Sequence, residues 1–342
     1  MPVEFHLEKP SARQDAPPAL DEAQQAVIDH AGGPLLVLAG PGTGKTTTLV
    51  ELVVDRVERG GLRPDEILVL TFSRKAAQEL RQRISRRLTG GVVPAMTFHS
   101  YCYGLVRAVS RPEEFADPLR LLSAPEQEWR VAEILLGATE TGRVTWPADL
   151  APALRTRGIS LEIADFMSRA RALGLEPDSL RRLATERDEP AWHSLAALWA
   201  EYDQVLSLAR EADYSGLVDD ALGVLVSADA AGELVTHQPR LLVIDEYQDT
   251  DPAQVNLLRT LAGPGTEVVA FGDPDQSIYA FRGANVRGVW SFAEQFGTDL
   301  TPARALSLRH CRRLGPELLA ASREIVRPLG VSTGMDLAEF QA

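Results

Sequence analysis

The segment GPGTGKTTT, residues 40–48, has the residue types and the spacing of a phosphate-binding loop. Its alternating glycines would allow backbone N–H groups to close around phosphate oxygens, and a helix starting near Lys45 would direct its positive end at them. The Lys45 ammonium would reach the β- and γ-phosphates, and the Thr46 hydroxyl would hold Mg²⁺. The residues expected to contact a nucleotide in this segment are Ala39, Gly40, Pro41, Gly42, Thr43, Gly44, Lys45, Thr46 and Thr47.

A second candidate segment, DEYQD at 245–249, follows the apolar run LLVI at 241–244. Asp245 leaves this expected strand where its carboxylate could hold Mg²⁺ through water, and Glu246 is placed to take a proton from an attacking water. Two acids at a helix start could instead be solvated groups that favour the positive end of the helix. Adjacent acids directly after four aliphatic residues, in a chain that also contains GTGKT, favour the catalytic interpretation.

Charge is distributed unevenly along the chain. The formal net charge of −13 over 342 residues argues by itself against nucleic acid as a partner, because phosphate binding depends on Lys and Arg. The segment 74–87, RKAAQELRQRISRR, is nevertheless a local positive stripe with a single acid. Lysine is rare in this arginine-rich chain, and both Lys45 and Lys75 lie in segments singled out here, which indicates that a compact ammonium group is needed at each.

The cysteine content and the first residues predict a cytoplasmic protein. Cys102 and Cys311 are far apart and lack CxxC spacing, so they indicate neither a disulfide framework nor a zinc site. The N-terminal residues have no basic start followed by an apolar stretch, so they do not resemble a secretory signal. The longest apolar runs are the length of a strand, and no membrane association is expected.

Hydrophobic patterning predicts an α/β fold built on a parallel sheet. Apolar, β-branched runs predict strands at 35–39, 67–72, 241–244 and 268–271, with a fifth within 91–98. Helical patterns between these runs are typical of a parallel sheet covered by helices on both faces. Ligands of such sheets bind at the carboxyl ends of the strands, which is where the two candidate segments lie.

Residues from about 104 to 212 have a different, all-helical pattern. Apolar residues recur there at three- and four-residue spacing, and the expected helix starts are Pro125, Ser160 and Pro190. We therefore predict an all-helical insertion into the α/β domain. The aromatic residues expected to pack in its core, rather than to bind a ligand, are Trp192, Trp199 and Tyr202.

Further segments occur in an order that resembles the superfamily 1 DNA helicases of the UvrD/Rep/PcrA type. They are LDEAQQAV at 20–27, TFSRKAAQELRQRI at 71–84, TFHSYC at 97–102, ADYSGLVDDAL at 212–222, DEYQD at 245–249 and GDPDQSIYAFRGA at 272–284. The resemblance spans residues 20–319. It implies a RecA-like P-loop NTPase fold, ATP and Mg²⁺ as cofactors, and single-stranded DNA or a single-strand/duplex junction as the partner.

The resemblance also implies roles around the nucleotide. Gln24 would read adenine, Gln276 would hold the attacking water and the γ-phosphate, and Arg313 would contact the γ-phosphate. The family commonly has NYRS where this chain has CRRL, so Arg312 replaces a tyrosine that stacks on adenine; its guanidinium plane could stack in the same place. The expected catalytic residues are Lys45, Glu246, Gln276 and Arg313.

DNA contacts are implied in three segments. Phe72 would offer a stacking platform for a base, although a buried aromatic at a strand end is the alternative. His99 could contact DNA or hold its loop by hydrogen bonds. In the segment 272–284, aromatic faces would meet bases beside an arginine. The expected DNA-binding residues are Phe72, Arg74, Lys75, His99, Tyr279, Phe281 and Arg282.

We expect the chain to divide into a disordered tail at 1–19, an ATP-binding domain at 20–103 and 213–303, the helical insertion at 104–212, and the start of an incomplete second RecA-like domain at 304–342. Segments resembling the family's motifs V and VI do not occur before Ala342. The chain is therefore expected to be the front half of a longer helicase, with little or no ATP turnover alone.

Three functions remain open at this stage. The favoured one is the ATP-binding and hydrolysing half of a 3′–5′ DNA helicase or translocase used in DNA repair or recombination. The second is a non-motor ATP- and DNA-binding module. The third is a metabolic P-loop kinase, which explains Lys45 and Asp245 but not Phe72 or the positive stripe. A second helicase subunit or a nuclease subunit is a further partner compatible with the resemblance.

Overall fold

A computed structural model of the chain describes residues 16–109, 119–230, 238–277 and 288–326. Its main sheet contains β1 (Leu35–Ala39), β2 (Ile67–Thr71), β3 (Ala95–Thr97), β6 (Leu241–Ile244), β7 (Glu267–Gly272) and β8 (Arg304–Leu308). The strand order is β3-β2-β6-β7-β1-β8, and each pair is parallel. The loops that follow these strands therefore meet at one edge of the sheet.

Helices cover both faces of this sheet because its central strands consist of consecutive aliphatic residues. Successive side chains of β1 point to opposite faces, so Leu36 and Leu38 pack in one core while Leu35 and Val37 pack in the other. The α/β fold class is thereby confirmed. The covering helices are α1 (Glu22–Ile28), α2 (Lys45–Glu58) and α3 (Arg74–Arg87) on one face, and α4 (Phe98–Ala108), α9 (Tyr214–Ala230), α10 (Pro252–Leu261) and α11 (Phe292–Phe296) on the other.

One strand was not expected from the sequence. β8 pairs with β1, with Ala305 opposite Leu36, so residues 304–308 belong to the first sheet and the expected start of a second domain at 304 is wrong. An edge strand has a neighbour on one side only, and most of β8 is exposed or half-buried, so it lacks the continuous apolar run of the inner strands. After β8 the chain crosses the loop that follows β1 and enters α12 (Pro316–Val326).

The helical insertion has a hydrophobic core of its own. Trp199 and Tyr202 are each 1% exposed in that core and Trp192 packs against it, as the sequence predicts. The expected boundary at 104 is wrong, however, since it falls inside α4, which packs on the sheet. The insertion contains α5 (Ala124–Glu140), α6 (Arg157–Ala172), α7 (Pro177–Arg187) and α8 (Pro190–Ala209), and its ends are joined by β4 (Arg120–Leu121) and β5 (Glu211–Ala212).

The helix starts in the insertion follow their caps. α8 begins at Pro190 as expected, and α5 begins one residue before Pro125, behind a capping box made by Ser123 and Glu126. α6 begins at Arg157 rather than at Ser160, because the Thr156 hydroxyl accepts a hydrogen bond from the backbone N–H of Ile159 at 3.4 Å. Among the described residues, every helix is too short or too polar to cross a membrane.

A buried ion cluster, here called the Arg171 cluster (Arg171, Asp203, Asp213 and Asp219), joins the insertion to the sheet domain. Arg171 of α6 donates to Asp213 at 2.9 Å and to Asp203, and lies 3.5 Å from Asp219 of α9. Burial alone would raise the pKa of Asp213, but Arg171 and several hydrogen-bond donors hold it below its ordinary value. Those donors are Gly216 N, Ser215 Oγ, Tyr202 Oη and Gln127 Nε2.

Candidate nucleotide-binding site

The phosphate-binding loop (residues 40–44) connects β1 directly to α2. Gly44 is the N-cap of α2 and has a φ of 91°, a left-handed conformation that favours glycine. No described side chain caps this helix, so its first N–H groups are available to phosphate oxygens. Gly42 has a φ of 77°, and a Cβ there would collide with Arg313. The loop thus has the conformation and the open donors that phosphate binding requires.

Lys45 and two acids meet beside this loop. The Lys45 ammonium forms an ion pair with Glu246 and lies 4.0 Å from Asp245 Oδ1. We call these residues the Lys45 cluster. The contact follows from the sheet order, since β7 alone separates β1 from β6 and both strands end at the same edge. The structure therefore brings the two candidate segments of the sequence together.

Asp245 is buried and incompletely bonded. Its Oδ2 accepts from the Thr71 hydroxyl at 3.3 Å, whereas its Oδ1 has no hydrogen-bond partner among the described residues. Burial raises the pKa of this carboxyl to about 6, although nearby Lys45 acts in the opposite direction. A buried carboxylate oxygen without a donor is suited to a cation or to its coordinated water.

These residues fit an Mg²⁺ ion that is shared with a nucleotide. Thr46 is half-buried in the first turn of α2, close in sequence to Lys45, and Asp245 supplies an oxygen that accepts no hydrogen bond from the described residues. The described residues contain no group of three or more His, Cys, Asp or Glu side chains that could hold a metal unaided. Mg²⁺ commonly takes one or two protein ligands and completes its shell with phosphate and water, so this donor set is sufficient.

Glu246 begins a chain of hydrogen bonds that connects β6 to the segment after β7. Its backbone is left-handed, with φ 57°, which is uncommon for a residue with a side chain. Glu246 Oε2 accepts from Gln248 Nε2 at 2.8 Å, and Gln248 Oε1 accepts from the backbone N–H of Asp273 at 2.9 Å. Asp273 Oδ2 in turn accepts from Gln276 Nε2 at 2.5 Å. Gln276 is thus held near the acids, but by a path that the sequence did not predict.

A different polar group lies on the other side of the phosphate-binding loop. Arg312 donates to Thr43 O at 2.9 Å, to Gln24 Oε1 at 3.0 Å and to Asp21 Oδ2 at 2.7 Å. Gln24 is 2% exposed and its Nε2 donates to Thr43 O at 3.4 Å. Gln24 and Arg312 therefore both lie against the loop and bond to each other, while their contacts with an adenine base stay predictions.

The remaining residues of the loop have mainly structural contacts. The Thr43 hydroxyl donates to Gly40 O at 2.8 Å, Pro41 O accepts from the Cys311 thiol at 3.2 Å, and Thr47 is half-buried. Ala39 is buried at the end of β1. Arg313 is exposed next to Gly42, so its contact with a γ-phosphate stays a prediction.

Several residues expected to bind DNA lie at the same edge of the sheet. Phe72 follows β2 and is half-buried against Phe98, with ring centroids 5.6 Å apart. Arg74 and Lys75 are exposed at the start of α3. His99 is half-buried after β3 with its ring edge-on to Tyr214 at 5.1 Å, and burial lowers the pKa of its imidazole. Among the expected DNA-binding residues that the structure describes, only Arg74 and Lys75 are exposed rather than half-buried.

The positive stripe is less available than its sequence suggests. Arg87 makes a two-bond contact with Glu51 at 2.8 and 2.9 Å, Arg81 donates to Ala95 O, and Arg83 pairs with Glu79 at 2.6 Å. The expected contacts of Tyr279, Phe281 and Arg282 lie outside the described residues.

Two functional groups were missed by sequence reasoning. Gln248 donates to Glu246, and the sequence carried a signal for it, because this glutamine lies within the same DEYQD segment, two residues after Glu246. Asp21 anchors Arg312 across 291 residues of sequence, and no local pattern could have found that contact.

Comparison with known proteins agrees with this geometry. Residues 20–297 match the family model for the UvrD/REP helicase N-terminal domain. The ATP-dependent DNA helicase UvrD1 of Mycobacterium leprae is 27% identical over 328 residues, which cover 90% of this chain and 39% of that protein. The ATP-dependent DNA helicase PcrA of Staphylococcus aureus (strain Mu50 / ATCC 700699) is 25% identical over 313 residues, which cover 90% of this chain and 40% of that protein. The chain thus spans less than half the length of these relatives. With the family model matching most of its residues, the chain belongs to the UvrD/REP helicase N-terminal domain family.

Proposed function

We propose that this chain binds and hydrolyses ATP with Mg²⁺ as the nucleotide-binding part of a 3′–5′ DNA helicase or translocase that acts on single-stranded DNA in repair or recombination. The observation that carries the proposal is the Lys45 cluster, in which a lysine at the phosphate-binding loop is paired with an acid while the neighbouring Asp245 Oδ1 accepts no hydrogen bond from the described residues. ATP with Mg²⁺ would satisfy both sets of groups. The names of the relatives, ATP-dependent DNA helicases, support the same conclusion.

The site implies an exchange of partners when ATP binds. The Lys45 ammonium, now paired with Glu246, would turn to the β- and γ-phosphates. These groups carry more negative charge than one carboxylate and would lie at the N-terminal end of α2. Bound Mg²⁺, held by Thr46 and Asp245, would neutralise phosphate charge. Glu246 would then be free to accept a proton from the attacking water, with its carboxylate oriented by Gln248.

The hydrogen-bond chain described above offers a route from this chemistry towards DNA. A shift of Glu246 alters the bond that it accepts from Gln248, and Gln248 also holds the backbone of Asp273. Asp273 holds Gln276, which precedes the segment in which the DNA-contacting Tyr279, Phe281 and Arg282 are expected. On the other flank, Arg74 and Lys75 would contact the DNA backbone, and Phe72 and His99 would contact bases or brace the groove.

The first test is nucleotide binding to the 342-residue chain, measured by calorimetry with ATPγS and MgCl₂. We expect Lys45→Ala to weaken binding about 10- to 100-fold, because hydrogen bonds between charged groups contribute about 1.5–3 kcal/mol. Arg59→Ala, an exposed cation at the other end of the same helix, should bind as the unchanged chain does. Equal affinity of Lys45→Ala and the unchanged chain would refute the proposed site.

The DNA part of the proposal is tested separately with an oligo(dT) strand. Binding of a fluorescent strand to the ATPγS-loaded chain should weaken with salt, since Lys75 and Arg74 would displace counterions from the backbone. A chain that binds ATPγS but shows no affinity for the strand at low salt would favour the kinase alternative.

A further inference from the structure

The polar groups around the phosphate-binding loop lie on two sides of β1. Glu246 and Gln276 follow β6 and β7 on one side, whereas Arg312 follows β8 on the other side, where α1 packs against both α2 and β8. A nucleoside triphosphate whose γ-phosphate faces Glu246 must extend its base across the loop in the opposite direction. The base would therefore lie next to Gln24 and Arg312. This step rests on the proposed function, which supplies the direction of the triphosphate.

The side-chain amide of Gln24 is already bonded within the protein. Its Oε1 accepts from Arg312 at 3.0 Å and from the backbone N–H of Asp21 at 3.2 Å, and its Nε2 donates to Thr43 O at 3.4 Å. A glutamine reads adenine through the same two atoms, one accepting from N6 and the other donating to N7. Gln24 can offer this pair to adenine only after it gives up its bonds to Arg312 and Thr43.

From this arrangement we propose that the site selects the triphosphate rather than the base, and that it binds ATP and GTP with similar affinity. Strong discrimination arises when a wrong ligand leaves buried polar groups of the site unpaired. Gln24 stays paired whichever base is present, so guanine leaves no group unsatisfied.

Arg312 is the residue that determines this tolerance. Besides its bonds to Gln24 and Thr43 it is fixed by Asp21 at 2.7 Å, and its backbone N–H donates to Gly42 O at 2.8 Å. Its planar side chain is thus positioned at the base side of the loop before any nucleotide binds. Nucleotide recognition would then depend on the phosphates, with the guanidinium face as a stacking surface for either purine.

The test compares ATPγS and GTPγS binding to the 342-residue chain by calorimetry at saturating MgCl₂. We expect dissociation constants within about threefold of each other. Gln24→Ala should leave this ratio unchanged, because the amide does not read the base. Arg312→Ala should release Gln24 and create a preference for ATPγS of about five- to tenfold. Arg309→Ala, an exposed arginine three residues earlier, is the matched control and should behave as the unchanged chain.

Each outcome decides between the two proposals. A preference of the unchanged chain for ATPγS of tenfold or more, or a selective loss of ATPγS affinity in Gln24→Ala, would overturn the inference while leaving the nucleotide site intact. Failure to bind either nucleotide would overturn the nucleotide site, and the inference with it. If Arg312→Ala does not unfold cooperatively, the unchanged chain and Gln24→Ala still decide the result.

Discussion

Two clusters of this molecule have the same ingredients, one cation among carboxylates of which at least one is buried, and yet they differ in how completely the buried carboxylate is bonded. In the Arg171 cluster, Asp213 accepts from Arg171 and from four further donors, and its pKa is lowered. In the Lys45 cluster, Asp245 Oδ1 lies 4.0 Å from the Lys45 ammonium but accepts no hydrogen bond from the described residues, and burial raises the pKa of the carboxyl to about 6. Both carboxylates are buried, so burial alone does not indicate function.

The difference shows how a buried carboxylate with a structural role can be distinguished from one that is suited to bind a ligand. A buried carboxylate with every lone pair bonded has nothing left to offer, and its cation is committed to it. A buried carboxylate with an open lone pair is costly in the absence of a ligand and is retained where a cation or a reacting group will bind. Substitutions in the two clusters should therefore affect different properties, stability in the first and ligand binding in the second.

The largest effect is expected for Arg171→Met, which should lower the free energy of unfolding by about 3–5 kcal/mol because it leaves the buried Asp213 without its cation. Urea unfolding followed by circular dichroism at pH 7 measures this change. Arg169→Met, an arginine on the same helix with 62% of its side chain exposed, is the matched control and should change stability by less than about 0.5 kcal/mol. Equal stability of the two variants would show that the Arg171 cluster does not stabilise the fold.

A smaller effect is expected in the Lys45 cluster, where a substitution should increase nucleotide affinity rather than decrease stability. Glu246→Gln should tighten ATPγS binding about 3- to 10-fold, equivalent to about 0.7–1.4 kcal/mol, because Lys45 loses a competing partner and the triphosphate loses a repelling charge. Its folded stability should remain near that of the unchanged chain. Calorimetry measures the affinity, and Glu162→Gln, an exposed glutamate on α6, is the control. Weaker binding in Glu246→Gln would show that the ion pair helps to position Lys45.

The smallest effect is expected at Asp219, at the margin of the Arg171 cluster. Burial raises its pKa to about 7 from an ordinary 3.8, and the neighbouring acids Asp220, Asp203 and Asp213 add to the rise while Arg171 opposes it. Between about pH 4 and pH 7 the folded state therefore keeps a proton on Asp219 that the unfolded state has lost, so the free energy of unfolding falls as pH increases through this range.

Asp219→Asn should remove that decline, so the variant should be more stable than the unchanged chain at pH 8 and equal to it near pH 4. Since 42% of the side chain is exposed, solvent screening limits the gain to about 0.5 kcal/mol. Thermal unfolding at the two pH values measures it, with the exposed Asp165→Asn as control. If Asp219→Asn were less stable than the unchanged chain at pH 8, the Asp219 carboxylate would be stabilising, as that of Asp213 is.

How far the sequence predicts this molecule depends on whether the relevant contacts are local. β1 and β6 were predicted at their observed limits because each is an unbroken aliphatic run, and the phosphate-binding loop is a continuous motif. β8 was missed because an edge strand need not be apolar on both faces. The start of α6 was displaced because its cap, Thr156, precedes the apolar pattern.

The same distinction applies to the site. Lys45, Asp245 and Glu246 could be associated because each ends or follows a strand of a parallel sheet, and such ends converge. The bond of Arg312 to Asp21 could not be anticipated, since it depends on where β8 places the chain after it. Phe72 and His99 show the remaining difficulty, because an aromatic at a strand end has the same sequence signal whether it packs or binds.

The position of β1 in the sheet has a consequence for how the protein is made. β1 is the first of the described strands in chain order, but both of its neighbours, β7 and β8, lie near the other end of the described residues. At the usual rates of synthesis, about 10–50 s must pass before residues 267–272 are available to pair with it. The unpaired strand and its apolar side chains therefore need protection during translation, and the phosphate-binding loop gains its neighbouring strands only after the rest of the described sheet has been synthesised.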